Sequence, residues 1–210
     1  MSGLAPGEPS DAILLRRHAE GDAEAFGLLF RRHSGRLWAV ALRITCDPDD
    51  AADALQEAMI SAFRRAGDFR GASAVTTWLH RIVVNASLDL LRRRSARSVG
   101  WSGDPDDLPA GEPPQRVDGV AGADSRLDVD AAMRTLPPPQ RAALVLVDML
   151  GYSVAEASVV LGVPEGTVKS RCARGRANLL PYLAHLRGDY QGGRNQPVTD
   201  GVPSKEGGGG

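Results

Sequence analysis

GYSVAEASVVLGVPEGTVKSRCARGRANLL, residues 151–180, is the stretch that decides the fold class. Gly151 suits a helix C-terminus. Ser153 followed by Glu156 makes a capping box, in which hydroxyl and carboxylate each satisfy an exposed backbone N–H of the next helix. That helix turns Val154, Ala157, Val160 and Leu161 inward. Gly162-Val163-Pro164 then makes a tight turn, because glycine tolerates positive φ and proline suits the first turn of a new helix. The second helix keeps Val168, Cys172 and Leu179 inside and offers Thr167, Lys169, Ser170, Arg171, Arg174 and Arg176 outward. Over residues 164–187, Lys169, Arg171, Arg174, Arg176 and Arg187 outnumber the one acid, Glu165. This reads as a helix-turn-helix with a basic second helix. Such a helix fits the major groove, its N-terminal half on base edges and its flanking cations on phosphates. The competing reading is a solvated basic helix in an ordinary helical module; spacing, turn and charge together favour DNA.

Working outward, residues 10–97 also read as helical. Ser10 or Asp11 caps a short helix to Ala19, and a long one follows from about Ala23 to Thr45. There Phe26, Leu29, Phe30, Leu37, Val40, Ala41 and Ile44 recur at helical steps on one face. Asp47-Pro48 starts another helix, with the stripe Ala51, Leu55, Ala58, Met59 and Ala62. Gly67–Ala74 interrupts the pattern. A fourth helix, about Thr76–Arg94, turns Leu79, Ile82, Val83, Ala86 and Leu90 inward, and Phe63 and Phe69 read as core. No segment alternates with period two, so the fold class is all-α: two small helical domains, 10–97 and 126–187, the second holding the helix-turn-helix. Residues 98–125 form a flexible Pro/Gly-rich linker, in which Asp104, Asp106, Asp107, Glu112, Asp118 and Asp124 face only Arg116. Residues 188–210, ending in Gly207–Gly210, read as a disordered tail.

The 210 residues hold 42% hydrophobic but only 5% aromatic side chains, which suits aliphatic helix packing. The formal net charge of −1 argues by itself against nucleic acid, so the case for DNA rests on where the charges sit. Cys46 and Cys172 stand far apart without ligand-spaced histidines, so neither zinc nor a disulfide framework is expected, and each cysteine reads as a small core residue. No signal peptide and no membrane-spanning run is visible, which leads to an expectation of a cytoplasmic protein without membrane insertion.

The first block carries a resemblance. Asp50-Ala-Ala-Asp53-Ala-Leu-Gln56-Glu57, Thr77-Trp78-Leu79-His80-Arg81-Ile82-Val83-Val84-Asn85 and Leu88-Asp89 through Arg92-Arg93-Arg94 are followed, beyond the linker, by Leu136-Pro137 through Gln140-Arg141 and by Leu161 through Arg171. In this order, over roughly 150 residues, the chain resembles an extracytoplasmic-function sigma factor of the sigma-70 family (group 4).

The resemblance implies a factor that binds core RNA polymerase, through its β′-type and β subunits. It would recognise minus-35 and minus-10 promoter elements, help to melt DNA, and be held in check by an anti-sigma factor. The resemblance places polymerase binding on Asp50, Asp53, Gln56 and Glu57, a polar face opposite the apolar stripe. It places minus-10 reading and melting on the loop Arg70, Gly71, Ala72, Ser73 and Ala74, expected to capture a flipped base, and on Arg81, Asn85, Asp89, Arg92 and Arg93 of the fourth helix. Minus-35 reading falls to Thr167, Lys169, Ser170, Arg171, Arg174 and Arg176. Trp78 reads equally as a stacking partner and as packing. The chain departs from relatives at Ser158, at Ala52, at Ala58-Met59 and in the lack of a large aromatic in the loop. An autonomous helix-turn-helix regulator is the alternative, and an enzyme is disfavoured: the carboxylates near Asp50 and Asp104 come with no nucleophile, phosphate loop or histidine partner. No cofactor is expected.

Overall fold

A computed structural model describes residues 8–99, 110 and 125–192, with side chains over 8–97, 110 and 129–183. Residues 100–109 and 111–124 of the expected linker, and 193–210 of the expected tail, lie outside it. Among the described residues every regular element is helical, as the sequence predicts.

Caps fix the first helices. Ser10 opens α1 (Asp11–Ala19) by accepting from the Ile13 N–H. Asp22 opens α2 (Ala23–Thr45) by accepting from Glu24 and Ala25. Asp47 opens α3 (Pro48–Arg65) by accepting from Asp49 at 3.0 Å and Asp50 at 2.9 Å. Each carboxylate or hydroxyl satisfies N–H groups that a helix start leaves without partners. A 3₁₀ turn, Ala66–Asp68, and an exposed loop lead into α4 (Val75–Val99). The second half holds α5 (Ser125–Arg134) and α6 (Pro138–Leu144), which runs into a π turn, Val145–Met149. It ends with α7 (Val154–Leu161) and α8 (Glu165–Gly192). Both expected boundaries are overrun: α4 passes residue 97, and α8 carries helix through 188–192 of the expected tail.

The described residues fall into the two helical domains that the sequence predicts, and the two pack directly on each other. Their buried apolar side chains make a single cluster that runs from Leu14 to Cys172, and α2 and α4 pack on α6 and α7. The cause lies in α4, which is buried on two sides. Leu79, Ile82, Val83 and Leu90 face the first half. His80, Val84 and Ser87, on a line about 100° round the helix, are buried as well. His80 Nδ1 lies 2.7 Å from the Tyr152 hydroxyl across the junction.

A buried cation closes the same seam. Arg141 is 3% exposed and donates from Nη1 to the Ile44 carbonyl at 2.6 Å and from Nη2 to Leu136 O at 2.8 Å. The residue four on from Ile44 is Pro48, which has no N–H to offer, so Arg141 supplies the donor that the last turn of α2 lacks. Its charge sits at the negative end of the helix, although burial pushes its pKa down.

Two aromatic expectations fail. Phe30 is 40% exposed and Phe63 51% exposed, Phe63 lying 4.3 Å from the His18 ring and 5.2 Å from Phe26. Phe69 is half-buried against Trp78.

Burial, with His33 and Arg36 nearby, pushes His80 down to about 4. The unfolded chain takes up this proton near pH 6.5, so acidification through that range favours unfolding. Stability should fall between pH 6.5 and pH 4 by at most ~1.4 kcal/mol per unit from this residue. Urea melts of the native chain and of His80→Gln across that range check it: the variant should show the shallower slope.

Candidate nucleic-acid interface

The helix-turn-helix has the expected caps. The Glu156 N–H donates to Ser153 Oγ at 3.2 Å while the Ser153 N–H donates to the Glu156 carboxylate at 2.8 Å. The Ser153 hydroxyl, which donates to the Glu156 carboxylate at 2.7 Å, and the Ser153 N–H together hold that carboxyl below its usual range. Gly162 ends α7 with φ +66°, a left-handed conformation. The Pro164 carbonyl accepts from Thr167 and Val168 to begin α8. Along α8, Val168, Cys172 and Gly175 face the core. A Cβ on Gly175 would stand 2.8 Å from Leu144 Cδ1, so glycine sets how closely α8 approaches α6.

Facing solvent are Gly166, Lys169, Ser170, Ala173, Arg174, Arg176 and Ala177, with Thr167 half-buried. Arg171 departs from the outward placement the sequence predicts and is only 7% exposed. At about 100° per residue it falls roughly 60° from the buried line through Val168, so helical geometry sends its stem inward whatever its charge. Ala173, at the centre of the exposed face, is a residue that charge-based reading passes over; its angular position was the available signal. Arg174 donates to the Ser170 carbonyl and hydroxyl at 3.4 Å. Arg176 is held by Asp148 at 3.0 and 2.7 Å.

On α4, Arg81, Asn85 and Asp89 line one exposed edge, and Arg92 pairs with Asp89. Beside this edge lies a cavity of about 310 Å³, bordered by Ser61, Arg65, Trp78, Arg81, Asn85 and Asp89. Trp78 packs edge-on against Phe69, ring centroids 5.6 Å apart, and also borders the cavity. The loop residues Arg70, Gly71, Ala72, Ser73 and Ala74 are all exposed, and Gly71 takes φ +73°. Arg93 is off the edge; its guanidinium forks onto the Glu57 carboxylate, joining α4 to α3 and holding the Glu57 carboxyl low.

The expected polar face of α3 is three residues rather than four. Asp53, Gln56 and Glu57 are exposed and border a groove of about 710 Å³ together with Ile60, an exposed apolar side chain absent from the sequence reading. Asp50 is 2% exposed and binds Arg94 at 2.6 Å. Burial raises its carboxyl pKa against the pull of Arg94, and Oδ1 has no hydrogen-bond partner among the described residues. Its place in the first turn, beneath the Asp47 cap, turns it toward α4. Among the described residues no group of three or more His, Cys, Asp or Glu side chains could hold a metal ion, and no helix is long and apolar enough to cross a membrane.

The geometry can be set beside known proteins. The family model described as Sigma-70 region 2 matches residues 29–97, and that described as Sigma-70, region 4 matches residues 126–179. The ECF RNA polymerase sigma factor SigM of Mycobacterium tuberculosis (H37Rv) is 49% identical over 179 residues, covering 85% of this chain and 87% of that protein. The ECF RNA polymerase sigma-E factor of Escherichia coli K12 is 30% identical over 174 residues, 80% of this chain and 91% of that one. Among solved structures, the sigma factor RpoE of Bartonella quintana, in complex with the anti-sigma factor NepR, is similar. Its TM-score is 0.59 at 26% identity, covering 77% of this chain and 98% of that one.

The burial difference within α8 separates two arginines. Arg174→Ala should weaken duplex binding by about 1–3 kcal/mol with little change in melting temperature. Arg171→Ala should lower the melting temperature, because it removes a buried side chain. Paired binding and thermal melts decide; equal melting temperatures for both variants would contradict the buried placement.

Proposed function

The chain belongs to the sigma-70 family, in its extracytoplasmic-function branch, and from that premise we propose how its surfaces divide the work of a sigma factor. As a sigma factor it binds core RNA polymerase and promoter DNA and acts in transcription initiation; it is not an enzyme. The observation that carries this is the ordered match of residues 29–97 to region 2 and 126–179 to region 4. An autonomous regulator would need the second match but not the first.

The exposed edge of α3 docks on core polymerase. Asp53, Gln56 and Glu57 give it charge and register, Ile60 adds apolar contact, and Asp50 supports it from below. Surface carboxylates of this kind contribute orientation and association rate more than affinity. The α4 edge of Arg81, Asn85, Asp89 and Arg92 reads the minus-10 element. The loop Arg70–Ala74 and the cavity beside Trp78 receive an unstacked base, whose removal from the duplex costs a few kcal/mol that the site must return. Arg93 acts through Glu57 rather than on DNA. The exposed face of α8 enters the major groove at minus-35, with Ser170 and Arg174 central, Thr167 and Lys169 beside them, and Ala173 small enough to meet a thymine methyl. Residues 10–97 and 126–187 are the working modules, and two weak grips on one chain gain from being tethered. The site of action is the cytosol, where the polymerase works, and an anti-sigma factor of the kind bound to the Bartonella relative is the regulatory partner.

The test is reconstitution. Core polymerase given this chain should start discrete transcripts from a genomic library, and core alone should not. Asn85→Ala should reduce those transcripts severalfold while leaving affinity for core intact, as measured by co-purification. A chain that ignores core polymerase and grips promoters unaided would overturn the reading.

A further inference from the structure

Positive charge on α8 is unevenly compensated. Arg176 spends both sides of its guanidinium on one carboxylate: Nε donates to Asp148 Oδ2 at 3.0 Å and Nη2 to Oδ1 at 2.7 Å. Asp148 reaches it from the π turn, Val145–Met149, that ends α6. This pair holds the Arg176 proton even more firmly than usual. At about 100° per residue, Lys169 lies on the same edge of α8 as Arg176, and its ammonium stands 3.9 Å from Glu165. Arg174, on the other side of the exposed face, donates only to the carbonyl and hydroxyl of Ser170 and has no carboxylate at ion-pair distance among the described residues. One edge of the reading helix is therefore neutralised and the other is cationic.

We propose that Asp148 is a specificity-determining residue: by fixing and neutralising Arg176, it withholds one cation from sequence-independent phosphate binding. The inference rests on the minus-35 reading of α8. A cation that meets phosphate strengthens binding to every sequence alike, because the gain comes from counterions released by the backbone. Base-edge contacts, by contrast, favour one sequence. An exposed ion pair adds little to folding stability, and both side chains here are well exposed, at 56% and 38%. What the pair changes is the charge presented to the duplex. The basic character read from sequence over 164–187 overstates the grip, because Asp148 lies outside that window and subtracts from it.

The test uses holoenzyme reconstituted from core polymerase and the full chain. Its probes are a minus-35 duplex enriched by native holoenzyme from a randomised library and a shuffled duplex of equal composition. Asp148→Asn keeps the side-chain shape and frees Arg176. It should tighten binding to the shuffled duplex about five- to tenfold near 0.1 M salt and steepen log K against log salt by ~0.9, the worth of one phosphate. The enriched duplex should gain less, so discrimination falls. In the Asp148→Asn/Arg176→Gln double variant both changes should vanish. An equal gain on both duplexes, no gain, or a loss would overturn the proposal. If native holoenzyme enriches no sequence, the minus-35 reading itself fails and takes this inference with it; enrichment followed by unaltered discrimination in Asp148→Asn removes this inference alone.

Discussion

A buried arginine with no carboxylate partner among the described residues organises this molecule. Arg141 gives its guanidinium protons to main-chain carbonyls, among them that of Ile44, where Pro48 leaves the end of α2 one donor short. A charge taken out of water is tolerated only when hydrogen bonds replace its hydration, and here helix ends provide them. The arrangement links residues 97 positions apart and clamps the second half against α2. His80 and Tyr152 make the neighbouring polar contact, and α4 fills the space between as a wall that both halves share.

Docking in this way leaves both proposed reading surfaces open. The edge of α4 that carries Arg81, Asn85 and Asp89 faces away from α6 and α7, and Ser170, Ala173 and Arg174 face away from the core. Much of the charge on these surfaces is already paired within the chain: Glu57 with Arg93, Asp89 with Arg92, Asp148 with Arg176. Such pairs contribute little to stability at exposed sites. On the proposed reading of these faces, their larger consequence is to set which cations remain to meet phosphate, and so the balance between general and sequence-specific attraction.

How far the sequence discloses all this depends on the kind of signal. Starts and stops were legible, because capping chemistry is local: Ser10, Asp47, Ser153 and Gly162 each act where the residue type says they should. Single apolar stripes were legible too, as on α2 and α3. A helix buried on two sides was not, since burial of His80, Val84 and Ser87 beside Leu79 and Val83 erases the one-sided periodicity that reveals packing. Residue type misled where geometry ruled: Asp50 and Arg171 are charged and buried, Phe30 and Phe63 are aromatic and exposed. The pairing of Arg176 with Asp148 crosses from α8 to the π turn and is invisible to any local window.

The central physical claim is that the two helical halves dock into one body through Arg141 and the second face of α4. Backbone ¹⁵N relaxation of the free chain tests it most directly, read separately over α2–α4 and α6–α8. The account predicts one rotational correlation time for both groups, with a nuclear Overhauser contact between the His80 and Tyr152 rings. Two different, shorter correlation times and no such contact would contradict it.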